Sequence, residues 1–280
     1  MSLELKGSRN GLLGSLFKRV HLELNLFFLA LSFFTRIPVP NSLDYSSQLL
    51  NKANRYFSLV GLLLGGGLAL SYFILNFFLP ISVAVLLMMS LSLLLTGAFH
   101  EDGLADMADG IGGAFTVEKR LIIMKDSRIG TYGSVALILV LLLKFSLLVE
   151  IAQLSSLNLI VALVLASALS RAVAGSLISS LAYVSDEQSS KSKPLACYQS
   201  RREKLVLLTI GALPLLLLPV NASLILIASL VTFQLFFARW LKAKLGGFTG
   251  DCLGAAQQIS ELLIYVLLLG YWSNTYQVSL

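Results

Sequence analysis

Apolar runs long enough to cross a bilayer recur along all 280 residues of this chain, separated by short polar stretches. A helical crossing needs about 20 mostly apolar residues, with a range of roughly 17–25. Candidate runs lie at 23–35, 56–79, 81–99, 131–153, 157–183, 205–219, 221–240 and 259–273. The mean hydropathy of +0.83 excludes a soluble domain. The expected fold is all-α, a polytopic integral membrane helical bundle with about seven to eight membrane segments. The runs 23–35, 205–219 and 259–273 are short for a straight crossing, so a tilted, re-entrant or interfacial course is open for them. Residues 1–22 read as a basic, amphipathic N-terminal segment and 23–280 as a single membrane-embedded domain. Lys6, Arg9, Lys18 and Arg19 precede the first run and no small-residue cleavage site follows it, so that run is expected to be retained.

Charge orders these runs. The net charge is +6, and Lys and Arg concentrate at 36–55, 119–128, 191–204 and 239–244. The turns around Pro80, Ser155-Ser156 and Pro219-Asn221 carry none. By the positive-inside rule all four basic stretches are cytoplasmic, and 56–99, 131–183 and 205–240 are helical hairpins that leave and return on that face. Basic side chains beside anionic lipid explain the excess charge, so the bilayer is the expected partner and nucleic acid is not. The polar stretch 184–204 reads as a flexible cytoplasmic loop. Cys197 and Cys252 match no metal-ligand spacing and read as free thiols. Gly61, Gly65, Gly66 and Gly67 make a flat helix surface that can pack within one bundle or between subunits, which leaves a homo-oligomer open. Lys144, with Glu150 about two turns on, and Arg171 lie at membrane depth, where a charge faces a cavity or a partner. Arg171 reads equally as a contact for an anionic ligand and as half of a structural ion pair.

Directly after one apolar run comes His100-Glu101-Asp102-Gly103-Leu104-Ala105-Asp106-Met107-Ala108-Asp109-Gly110. Asp102, Asp106 and Asp109 fall at i, i+4 and i+7, on one helical face within roughly a 60° arc. Three like charges so close call for a cation among them, and oxygen-only ligands point to Mg²⁺. Two further segments combine glycine with charge: Lys125-Asp126-Ser127-Arg128-Ile129-Gly130-Thr131-Tyr132-Gly133 and Gly246-Gly247-Phe248-Thr249-Gly250-Asp251-Cys252-Leu253-Gly254. Each begins or ends a membrane run, so all three segments can meet at one cytoplasmic mouth. Glycines let backbone N–H groups approach an anion. Arg128 can grip phosphate with two parallel hydrogen bonds, and Lys125 adds a point charge. Acid and base in one site imply a metal-bridged phosphate, hence phosphoryl or phosphodiester chemistry. Asp251 joins the three aspartates as a candidate ligand. Asp126, Gly130, Arg171, Gly250, Asp251, Glu261 and His100 are candidate substrate contacts. His100 reads as an interface or catalytic histidine, Glu101 points about 100° off the aspartate face, and Glu261 is an acid inside an apolar run.

Asp106-x-x-Asp109-Gly110 is similar to the start of the CDP-alcohol phosphotransferase signature, but Ile111-Gly112 stands where that signature has Ala-Arg. Four segments carry a wider likeness: Phe34-Thr35-Arg36-Ile37-Pro38-Val39-Pro40, Phe99 through Gly110, Met124 through Gly133, and Gly246 through Ala255. In their order and separations the chain resembles, from end to end, the cobalamin synthase family of adenosylcobinamide-GDP ribazoletransferases. The resemblance implies a multi-pass enzyme of a prokaryotic cytoplasmic (inner) membrane with its active site at the cytoplasmic face. It would join α-ribazole or its 5′-phosphate to adenosylcobinamide-GDP with release of GMP, and with Mg²⁺ as cofactor. On that reading Asp102, Asp106 and Asp109 hold the metal, one of them (Asp109 being the candidate) also serves as base, and Lys125 and Arg128 hold phosphate. A transporter is the rival from another class, against which the chain shows no pair of matching halves.

Overall fold

The computed structural model describes residues 4–185 and 197–278, and the side chains of 1–16 and 276–280 are outside that description, as is the centre of the 184–204 stretch. The named elements are all helices: α1 (Glu4–Phe34), α2 (Ser47–Ala53), α3 (Phe57–Leu75), α4 (Ile81–Thr96), α5 (Phe99–Gly113), α6 (Val117–Met124), α7 (Thr131–Leu154), α8 (Ser156–Ser176), α9 (Arg201–Ala212), α10 (Val220–Leu245) and α11 (Gly250–Val278). The chain reverses where the uncharged turns lie. Pro80 precedes α4, Ser155 separates α7 from α8, and Pro219 precedes α10.

Among the described residues five segments are long and apolar enough to cross a membrane: Ser47–Leu75, α7, Ser156–Ser179, α10 and Gly250–Thr275. α4 and α5 qualify only together, as a pair bent by 84° that is a broken span or a re-entrant loop, which makes at most six. This is fewer than the about seven to eight segments expected from run length, and the shortfall has local causes. The run 81–99 stops at Thr96 because Gly97 (φ 66) and Ala98 (φ 55) are both left-handed and swing the chain into α5. The run 205–219 gives the 12-residue α9 and then a 3₁₀ turn, Leu213–Leu217, with Pro214 near its start. Proline lacks the N–H that an α-helix would need there. The run 23–35 is the end of α1, which is continuous across residue 22.

The α4–α5 bend is braced from outside. The Arg36 N–H donates to the Leu95 carbonyl at 2.7 Å, and a Cβ on Gly97 would come within 2.6 Å of Arg36 Nε. A left-handed L-residue costs roughly 1–2 kcal/mol, so Ala98 is held there by its surroundings. The Thr35-Arg36 stretch thus fixes the direction in which the acidic helix leaves the membrane hairpin.

α8 lies at the centre of the bundle, with most of its length buried, whereas α7 and α10 turn most of their surface outward. α3 rides closely on α8 because Gly61 and Gly65 face it. A Cβ on Gly65 would lie 2.7 Å from the Leu163 carbonyl oxygen, and one on Gly61 would meet the Ser167 carbonyl. Gly66 and Gly67 face open space. Lys144 Nζ pairs with Glu261 Oε1 of α11 at 2.9 Å, not with Glu150 of its own helix. Nearer one end, buried Arg55 contacts Glu23 of α1 at 3.2 Å and Glu203 of α9 at 3.7 Å, and the Tyr56 hydroxyl donates to Glu23 at 2.8 Å.

Candidate active site

The three aspartates share one face of α5 but not one environment. Asp102 is exposed, Asp106 half-buried and Asp109 buried. The Asp109 carboxylate accepts the backbone N–H of Gly130 at 2.7 Å and of Gly133 at 2.8 Å. Gly130 precedes α7 and Gly133 lies in its first turn, where N–H groups have no partner within the helix. A carboxylate there satisfies two donors and complements the positive end of the helix dipole. Glycine is required for the fit, since a Cβ on Gly130 would come within 2.5 Å of Asp109 Oδ1. Asp109 therefore caps α7 from α5 and seats the 125–133 segment beside the acidic helix.

Within that segment Asp126 grips Arg128. Nη2 donates to Oδ2 at 2.6 Å, Nε donates to both oxygens at 3.1 Å, and the Arg128 N–H donates to Oδ1 at 3.1 Å. The hydrogen bond and charge of Asp126 raise the Arg128 pKa above its ordinary value. The guanidinium is exposed, so it stays charged and open to an incoming anion. Lys125 ends α6 on the same segment, half-buried.

Asp251 reaches α5 from the opposite helix. A Cβ on Gly103 would lie 3.0 Å from the Asp251 Cα, and one on Gly254 would lie 3.1 Å from the His100 carbonyl oxygen. This close approach puts Asp102 within electrostatic reach of Asp251. The Thr249 hydroxyl donates to Asp251 Oδ2 at 3.2 Å. The turn before it is stitched to the end of the α8 region, with Phe248 N–H donating to Ala182 O at 2.9 Å and Val184 N–H to Phe248 O at 3.0 Å. Gly250 opens α11 with nothing within 4 Å of where its Cβ would be.

The structure thus brings Asp102 near Asp251 and joins Asp109 to Gly130 and Gly133, on the segment where Asp126 holds Arg128, with Asp106 between the two on α5. Three sequence candidates lie elsewhere. His100, Arg171 and Glu261 are only 2%, 5% and 6% exposed. The His100 ring stacks on Phe57 at 5.7 Å, Arg171 Nη1 donates to the Ser167 carbonyl at 2.8 Å, and Glu261 takes Lys144. Gln257 and Gln258, which are not among the sequence candidates, link Glu261 to Glu101: Gln257 Nε2 donates to Glu261 at 2.9 Å, and Gln258 Nε2 donates to Glu101 at 3.0 Å. Two adjacent amides inside an apolar run were the available signal, since amides at membrane depth need partners.

Among the described residues no three or more His, Cys, Asp or Glu side chains are gathered to hold a metal by themselves. The Asp102–Asp251 pair does fit Mg²⁺, which takes one or two carboxylates and completes its octahedron with waters and substrate phosphates. Two neighbouring carboxylates on helices in close contact supply hard oxygen donors of that kind. Each oxygen of Asp109 already accepts one backbone N–H.

The sequence model of the cobalamin-5-phosphate synthase family matches residues 26–269, a stretch that holds α5, the 125–133 segment and the start of α11. The chain belongs to that family. Relatives named adenosylcobinamide-GDP ribazoletransferase match over almost their whole length. The Vibrio cholerae protein is 57% identical over 249 residues, covering 89% of this chain and 95% of the relative. The Vibrio parahaemolyticus protein is 53% identical over 253 residues, covering 90% and 94%. The Shewanella amazonensis protein is 53% identical over 262 residues, covering 93% and 100%. No solved structure matches the chain significantly. The resemblance carried by the four segments holds at the level of family.

Proposed function

We propose that this chain performs the reaction for which its relatives are named, late in cobalamin biosynthesis. A ribose hydroxyl of α-ribazole, or of its 5′-phosphate, attacks the cobinamide-side phosphorus of adenosylcobinamide-GDP. The P–O bond to GMP breaks, GMP leaves, and adenosylcobalamin or its 5′-phosphate is formed. The observation that carries this reading is the family match over residues 26–269 together with more than half identity to near full-length relatives.

Asp102 and Asp251 would hold Mg²⁺, which when bound would neutralise charge on the pyrophosphate and orient it. Arg128, prealigned by Asp126, grips phosphate oxygens on the GMP side, and Lys125 adds charge beside it. Asp109 seats this segment by capping α7, which supports a positioning role for it in place of the base role expected from sequence. Asp106, on the same face of α5 between Asp102 and Asp109, stays a candidate metal ligand and is the carboxylate assigned to take the hydroxyl proton. Phosphoryl transfer depends mainly on such positioning and charge placement.

The basic residues at 119–128 and 239–244 flank this surface, which supports a cytoplasmic mouth in a prokaryotic inner membrane. The run 23–35 at the end of α1 and the α9–Pro214 segment, read as short or interfacial membrane segments, would bring the total to about seven or eight. Residues 23–280 then act as one membrane-embedded catalytic domain. The test is to supply lipid-nanodisc protein with adenosylcobinamide-GDP, α-ribazole and Mg²⁺, and to follow products by mass spectrometry. GMP and completed corrinoid in equal amounts are expected. GMP alone, or neither product from folded protein, would refute the reading.

A further inference from the structure

Beneath the proposed site α3, α4, α5, α7, α8 and α11 enclose a small polar cavity. Its lining includes His100, Glu101, Arg171 and Gln258, with Lys144 and Glu261 at one side. About 10 Å³ is open to the centre of a water molecule, which is about the room one water needs. Four lining residues carry a buried polar atom with no protein partner: His100 Nε2, Glu101 Oε2, Arg171 Nε and Gln258 Oε1. Each of these residues is at least nine-tenths buried. Arg171 Nε–H can only donate, Glu101 Oε2 and Gln258 Oε1 can accept, and His100 Nε2 does either according to tautomer. A water molecule offers two donors and two acceptors, so it complements that set, whereas leaving such atoms unpaired in a bilayer is costly. The charges agree. Lys144 is paired with Glu261, while Arg171 lies within electrostatic reach of Glu101 as well as Glu261.

We propose that Glu101 and Arg171 form a water-bridged ion pair across this cavity, and that with Gln258 this pair positions Asp102 opposite Asp251. The second half rests on the metal reading given above, and the first half does not. Glu101 directly precedes Asp102 on α5, and Gln258, about two turns beyond Asp251 on α11, donates to Glu101 Oε1 at 3.0 Å. Gly103 and Gly254 let the two helices touch between these points. Rotating α5 to release Glu101 would carry Asp102 away from Asp251. Glu101, Arg171 and Gln258 touch no substrate in this account. They are positioning residues.

The experiment uses nanodisc-reconstituted full-length protein carrying Glu101→Gln, Arg171→Gln or both. Melting temperature reads the pair, and Mn²⁺ binding by electron paramagnetic resonance, without substrates, reads the carboxylates. Each single change strands one buried charge, so each is expected to lower the melting temperature, and the neutral double variant is expected to lose less than the two losses added. Strict additivity would overturn the pair. Mn²⁺ affinity is expected to fall about tenfold in Glu101→Gln, as for other outer partners of metal ligands, and to recover in part in the double variant. Unchanged Mn²⁺ affinity in folded Glu101→Gln, with affinity lost in Asp102→Ala, would overturn the positioning role. Unchanged affinity in Asp102→Ala would instead sink the metal reading and the positioning built on it, while the melting cycle still decides the pair. If Glu101→Gln does not fold, Glu101→Asp, which keeps the charge but shortens the reach, and Gln258→Leu take its place in both measurements.

Discussion

Asp102 and Asp109 are two turns apart on one face of α5, yet one is exposed beside Asp251 and the other is buried under the N-terminus of α7. The amide of Asp109→Asn would turn an NH₂ group toward a backbone N–H and leave a buried donor unpaired, at a cost of about 1–3 kcal/mol. Its unfolding midpoint in nanodiscs should fall accordingly. Asp102→Asn loses no such partner and should melt like the wild type while turnover drops at least about a thousandfold, near 4 kcal/mol in barrier. Equal melting losses in the two variants would refute the division of roles. The shared face was legible because a 3.6-residue period can be read directly from sequence. The division was not, because the donors to Asp109 come from Gly130 and Gly133, 21 and 24 residues on, and depend on where α7 begins.

The glycines of α3 show the same limit between elements. The stripe at 61–67 was legible as a packing surface, but only Gly61 and Gly65 meet α8. Gly65→Leu should destabilise the bundle by about 1–3 kcal/mol through overpacking, while Gly66→Ala should be neutral or stabilising by up to about 1 kcal/mol. Thermal unfolding of both variants checks the contrast, and a destabilised Gly66→Ala would count against this packing. Lys144 was legible as a charge needing a partner, but its partner on α11 is far along the chain. Lys144→Met removes the ion-pair partner of Glu261 and should cost up to about 3–5 kcal/mol, whereas Lys144→Met with Glu261→Gln should cost much less. Denaturant unfolding of single and double variants measures the difference. The break between α4 and α5 left a trace in sequence, since the acid cluster begins just past Gly97. The left-handed Ala98 had none, because it depends on the Arg36 brace.

For the whole molecule, the uncharged turns read from sequence all coincide with breaks between helices in the structure. What run length could not reveal was how many runs become straight helices, because Pro214 and the Gly97-Ala98 corner shorten two of them. The sidedness drawn from the basic stretches has its own check. α7 runs 24 residues from Thr131 to Leu154, about 36 Å at 1.5 Å per residue, so positions 128 and 155 should lie on opposite faces. With Cys197 replaced, Arg128→Cys should react with an impermeant maleimide only from the cytoplasmic side, and Ser155→Cys only from the other. Labelling of both from one side would contradict the topology.

The most direct test of the site is a Mg²⁺ titration of product formation in wild-type, Asp102→Asn, Asp251→Asn and Asp109→Asn proteins, with Mg²⁺ first removed by EDTA. Asp102→Asn and Asp251→Asn are expected to raise the half-saturating Mg²⁺ concentration or abolish turnover. Asp109→Asn should lose stability and rate while keeping the wild-type Mg²⁺ dependence. A wild-type Mg²⁺ dependence in both Asp102→Asn and Asp251→Asn, with Asp109→Asn alone shifted, would contradict it and return the metal to Asp109.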